Sequence, residues 1–84
     1  MGRIAQKLKI KSRVHVERAE KRISQLELAD AIGVTRATIH AIESGDYNPS
    51  LELAFRLARY FGVGVESLFS ASDPLENINA EVKK

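Results

Sequence analysis

With 84 residues, 44% of them hydrophobic, no Trp and only two Tyr and three Phe, the chain suits one small helical domain whose core would gain from oligomerisation. It has no cysteine, which excludes a disulfide framework and a thiolate metal site, and no continuous apolar run at its start, so neither a signal peptide nor a membrane span is expected and a cytoplasmic protein is. The formal charge of +2 hides a division: residues 1–22 carry eight Lys/Arg against two acids, a net of +6, and residues 23–84 five against nine, a net of −4.

A basic arm on an acidic body favours one orientation on a polyanion, although basic termini that only aid solubility would look the same. In chain order, Leu8-Lys-Ile10-Lys alternates with the two-residue period of a strand. Residues 13–22 read as a first helix capped by Ser12, with Val14 and Ala19 inward. Ser24, with Glu27 three residues on, is a capping box that starts a second helix near Gln25. Leu26, Leu28, Ala29 and Ile32 give that helix an apolar stripe, and Gly33 ends it where the reversing chain needs a left-handed residue. Thr35 caps a third helix, in which Ile39 and Ile42, with Val34 of the turn, point back at the second. Arg36, Ala37, His40, Ala41 and Ser44 fall on the opposite face, a strip small enough for a groove about 12 Å wide.

Asp46-Tyr47-Asn48-Pro49 is turn chemistry, and Ser50 caps a fourth helix carrying Leu53, Ala54, Leu57, Ala58 and Phe61 at helical spacing. Gly62 stops it. A short fifth helix over Val65–Phe69 follows, entered through Gly64, and Asp73-Pro74 marks the break before a tail. In that tail Ile78-Asn-Ala80-Glu-Val82 alternates as the N-terminal segment does. Pairing of the two as strands, helix extensions and disordered tails are all open.

Two short helices about one Gly-centred turn make a helix-turn-helix, a pattern many bundles contain. The surrounding residues are more specific: Ser-Gln-x-x-Leu-Ala-x-x-x-Gly-Val-Thr-Arg at 24–36, Ile-x-x-Ile-Glu-x-Gly at 39–45, Tyr-Asn-Pro-Ser-Leu at 47–51 and Leu-Ala-Arg-Tyr-Phe-Gly-Val at 57–63. Together they closely resemble the Xre-type family of phage-repressor-like transcription factors, over about residues 12–69. The resemblance implies an all-α, five-helix DNA-binding domain at 12–69, flanked by a basic arm or strand at 1–11 and a tail at 70–84. It also places Glu17 where many members carry an aliphatic residue. Some small members pair terminal strands into a two-stranded sheet.

In such a domain the third helix is the recognition helix. Arg36 can fork onto O6 and N7 of guanine or, alternatively, hold a phosphate. Ala37 and Ala41 can lie on thymine methyls or simply permit close approach, and His40 is a base or phosphate donor unless merely solvated. By resemblance Gln25 and Thr35 contact phosphates, and each opens a helix whose free N–H groups favour an anion. Ser44, Tyr47 and Asn48 join them at the backbone. Glu43 opposes the dipole of its helix and so needs a partner, which the resemblance supplies as Arg18, also able to reach a phosphate. His15 and His40 are too separated in sequence to suggest a metal site, and no metal or cofactor is expected.

The function read from these features is a sequence-specific double-stranded-DNA-binding regulator, a repressor acting as a homodimer on a palindrome. Phe55, Val65, Leu68, Phe69 and Leu75 are the apolar residues left for the dimer interface. Two alternatives stand beside it: an antitoxin whose tail from Asp73 holds a protein partner, and an interaction module with the fold but no DNA binding. No nucleophile–base pair, metal cluster or phosphate-cradling loop points to an enzyme.

Overall fold

The computed structural model describes residues 8–72. Within it run β1 (Lys9–Ser12), α1 (Val14–Lys21), α2 (Gln25–Ile32), α3 (Arg36–Ser44), α4 (Leu51–Phe61), α5 (Val65–Leu68) and β2 (Phe69–Ser72). The expected five helices and small sheet are present.

The middle helices begin and end where their local chemistry dictates. Ser24 Oγ accepts the Glu27 N–H at 3.0 Å and Glu27 Oε1 accepts the Ser24 N–H at 2.7 Å, the reciprocal capping box. Gly33 stops α2 at φ 91°, a backbone that costs a residue with a Cβ about 1–2 kcal/mol. Thr35 Oγ1 accepts from the Thr38 N–H at 3.2 Å, and Ser50 Oγ from the Leu53 N–H at 3.1 Å.

These helices close over one core. Leu28, Ala29 and Ile32 of α2 meet Ile39 and Ile42 of α3, and Val14, Leu53, Leu57, Ala58, Phe61 and Leu68 complete the cluster, with Val34 half-buried against it. Each large side chain taken from water stabilises the fold by about 1.5–3 kcal/mol. Leu26, expected in the stripe, is 53% exposed, because it lies on the side of α2 facing away from that cluster.

α1 departs from expectation at both ends. It starts at Val14, and Ser12 closes β1, although its Oγ still accepts the Val14 N–H at 3.1 Å. Its C-terminus is turned by Arg22 at φ 58°, a non-glycine residue in the left-handed region. Ala19 is exposed, not inward; the helix docks through fully buried Val14 and half-buried Val16 and Glu17.

The sheet is antiparallel, with Lys9 opposite Ser72, Ile10 opposite Ala71, Lys11 opposite Ser70 and Ser12 opposite Phe69. The N-terminal strand thus pairs with the residues directly after α5. Phe69, expected to end the fifth helix, begins β2 instead, since Arg13 N–H donates to the Leu68 carbonyl at 2.8 Å and draws the chain alongside β1. Residues 78–82, expected as the pairing strand, lie outside the described residues. Leu68 is fully buried in the monomer core, so it is not among the residues left over for an interface. Leu75 also lies outside the described residues.

Candidate nucleic-acid interface

The capped turn between α2 and α3 fixes how α3 is presented. With Ile39 and Ile42 buried, helical periodicity leaves Arg36, Ala37, His40 and Ser44 exposed and Ala41 half-buried. Thr35 sits at the start of this strip, its hydroxyl shared between the Thr38 N–H and the Thr38 hydroxyl, at 3.0 Å from the latter. Tyr47 and Asn48 follow the strip and are exposed. Ser44 Oγ lies 3.2 Å from the Ala41 carbonyl and 3.1 Å from Asp46 Oδ2, so its hydroxyl is occupied within the protein.

Behind the strip lies a charged network. Arg18 of α1 forks onto Glu43 of α3, with Nε to Oε2 at 2.8 Å and Nη2 to Oε1 at 3.2 Å, while its Nη1 donates to the Ile23 carbonyl at 2.9 Å. Gln25 Nε2 donates to Glu43 Oε1 at 2.9 Å. One carboxylate therefore holds the first turn of α2 and the last turns of α1 and α3. The Glu43 side chain is 9% exposed and that of Arg18 22%. Burial pushes the Glu43 carboxyl up, but the hydrogen bonds from Arg18 and Gln25 and the fields of Arg18 and His15 outweigh it and hold it below its ordinary value. The bond to Glu43 raises the Arg18 guanidinium against the opposing effect of burial. Among the described residues no buried side-chain nitrogen or oxygen lacks a partner.

The pairing of Arg18 with Glu43 is present as the sequence resemblance implied. The bond from Gln25 to the same carboxylate was not read, because residues 18 apart on different helices share no local spacing. Sequence reasoning also missed His15: it lines a cavity with Gln25, His40, Glu43 and Ser44. Among the described residues no group of three or more His, Asp or Glu could hold a metal ion, and no helix is long and apolar enough to cross a membrane.

A model of the helix-turn-helix family matches residues 16–68, which include both helices, their turn and the flanking α4 and α5. The chain belongs to that family. Its Xre-type motifs at 24–63 fall inside the match. This helix-turn-helix chain is 45% identical over 64 residues to an uncharacterized HTH-type transcriptional regulator of Methanocaldococcus jannaschii, covering 76% of the chain and 97% of the relative. It is 36% identical over 72 residues to the transcriptional repressor RstR of the cryptic phage CTXphi from Vibrio cholerae, covering 86% of the chain and 63% of the relative. Among solved structures, a candidate DNA-binding protein from Bacteroides fragilis superposes with a TM-score of 0.66 at 28% identity, covering 73% of this helix-turn-helix chain and 98% of that one.

Proposed function

We propose that the protein is a transcriptional regulator that binds double-stranded DNA in a sequence-specific manner, acting as a homodimeric repressor on a palindromic operator. The observation that carries this reading is the face of α3: Arg36, Ala37 and His40 stand free in solvent while Ile39 and Ile42 lock the other side of the helix to α2. A small, polar, cationic strip on a rigidly held helix suits entry into a major groove. An interaction module would instead present an acidic or apolar strip. The similarity to HTH-type regulators, one of them a phage repressor, supports the same reading.

In this role Arg36 reads guanine, Ala37 and Ala41 face thymine methyls, and His40 completes the base contacts. Gln25, Thr35, Arg18, Tyr47 and Asn48 approach the phosphates on either side. Ser44, its hydroxyl engaged within the protein, contributes packing against the backbone more than donation. A recognition helix covers only a few base pairs, so two copies about a two-fold axis extend the site. Phe55, 50% exposed on α4, and half-buried Val65 and Phe69 are the apolar surface for that contact.

Selection of bound sequences from random duplexes is expected to return a palindrome with a guanine in each half-site. Arg36→Ala, measured on that operator and its single-base variants at one salt concentration, is expected to weaken binding by about 1–3 kcal/mol and relax discrimination at one base pair per half-site. No enrichment of any sequence would overturn the reading. A uniform loss across the variants would reassign Arg36 to a phosphate.

A further inference from the structure

The chain has only two histidines, His15 and His40, 25 positions apart in sequence. The fold brings both to one cavity of about 290 Å³, which they line with Gln25, Glu43 and Ser44. His15 comes from α1 and His40 from the exposed strip of α3, so the cavity opens beside the surface that the proposed function turns toward DNA. We propose that this cavity is a seat for one phosphodiester of the DNA backbone, and that protonation of His15 and His40 is what charges it. The inference rests on the DNA-binding reading and adds to it a binding site and a proton linkage.

The charges around the cavity make the argument. Of its lining residues, α2 supplies the uncharged Gln25, α1 supplies His15, and α3 supplies His40, Glu43 and the neutral Ser44. The Glu43 carboxylate is neutralised by the Arg18 fork behind it, so this pair offers an approaching phosphate no net charge. Gln25 spends one amide hydrogen on Glu43 and keeps a second for a ligand oxygen. A net positive charge can then come only from the two imidazoles, each of which presents two N–H donors once protonated. Histidine changes charge between about pH 5 and 8, whereas Glu43, held below its ordinary value, stays ionised throughout that range. A phosphate seated against an imidazolium favours the protonated form, so DNA binding takes up protons and is stronger in mild acid.

The test is the affinity for the selected operator, by fluorescence anisotropy at fixed ionic strength, at pH 6 and pH 8. Binding is expected to be tighter at pH 6, by up to about tenfold for each histidine whose pKa the phosphate raises by one. His15→Gln is expected to remove part of this dependence and His15→Gln with His40→Gln all of it, while circular dichroism stays that of the native fold. A methylphosphonate at the seated linkage should abolish the pH dependence in the native protein, and free inorganic phosphate at millimolar concentration should not reproduce it. Equal affinity at both pH values, or a dependence that survives in the double variant, would overturn the seat and leave the regulator reading intact. Absence of binding to any duplex at either pH would overturn both.

Discussion

The α2–α3 hairpin and the end of the molecule built from β1, α5 and β2 are held by different kinds of interaction. In the hairpin every boundary is set by residues within four positions: Ser24 with Glu27, Gly33 with Ala29, Thr35 with Thr38. At the other end the contacts span the chain, as in the bond from Arg13 to Leu68 and the pairing of Lys9 with Ser72. The surface offered to DNA is on the locally determined half. That placement keeps the recognition helix formed even when the terminal strands loosen, and it lets α3 vary its exposed residues without altering Ile39 or Ile42.

The largest test of this contrast compares two fully buried leucines, one in each region. Leu28→Ala and Leu68→Ala are each expected to cost about 2–5 kcal/mol by chemical denaturation. They should differ in where they act. Leu68→Ala should accelerate amide exchange across Lys9–Ser12 in the folded state, because the strand pairing starts beside Leu68, whereas Leu28→Ala should leave that exchange governed by global unfolding. The same exchange pattern in both variants would mean the two regions unfold as one unit.

The Arg18–Glu43 pair joins the two regions, since α1 follows β1 directly and α3 belongs to the hairpin. Arg18→Ala removes both fork bonds and leaves a carboxylate that is only 9% exposed, at a cost of roughly 1.5–3 kcal/mol near neutral pH. The 22% exposure of Arg18 admits solvent and keeps the figure below that of a fully buried pair. Glu43 has a lowered folded-state pKa, so its stabilisation is complete above the ordinary carboxylate value and is lost as pH falls through the lower folded one. The penalty of Arg18→Ala should therefore shrink in acid. A double-mutant cycle with Glu43→Ala should show coupling, and additive losses would rule out the pair as an energetic unit.

How much could be read from the residues follows the same division. Ser24, Glu27, Gly33, Thr35 and Ser50 mark helix ends through bonds made within a turn, and all five act as the sequence indicated. Ala19 was misplaced because an eight-residue helix presents two faces of similar apolarity, and only docking against the rest of the fold decides between them. Phe69 suits a helix end as well as a strand; the Arg13–Leu68 bond, made across more than fifty positions, settles it. In the candidate site, the strip on α3 was legible from periodicity. The convergence of His15 on it was not, because it depends on how α1 crosses α3.

Ser24→Ala tests the local half directly. It removes the acceptor of the Glu27 N–H and is expected to cost about 1 kcal/mol. Because Glu27 can still accept the N–H of residue 24, the loss should fall short of removing both halves of the box, as in Ser24→Ala with Glu27→Ala. Equal losses in the single and double variants would show that the Ser24 half carries the whole effect.

The smallest expected effect concerns one long-range tie inside the hairpin. Arg56 of α4 donates through Nη1 to the Ile32 carbonyl at 3.1 Å, at the end of α2, and through Nη2 to Glu52 at 3.0 Å. The side chains of Arg56 and Glu52 are 55% and 76% exposed, and they sit four apart on one helix, so Glu52→Ala should cost only roughly 0.3–0.5 kcal/mol and less in high salt. Arg56→Ala removes this pair and also the bond to a C-terminal carbonyl of α2 that has no partner within its own helix. Its cost should therefore exceed that of Glu52→Ala and keep a portion that salt does not screen. If the two variants instead lose the same small amount, the Ile32 bond contributes nothing. The end of α2 would then rest on Gly33 and its bond to Ala29 alone, making the hairpin local in its energetics as well as in its sequence signals.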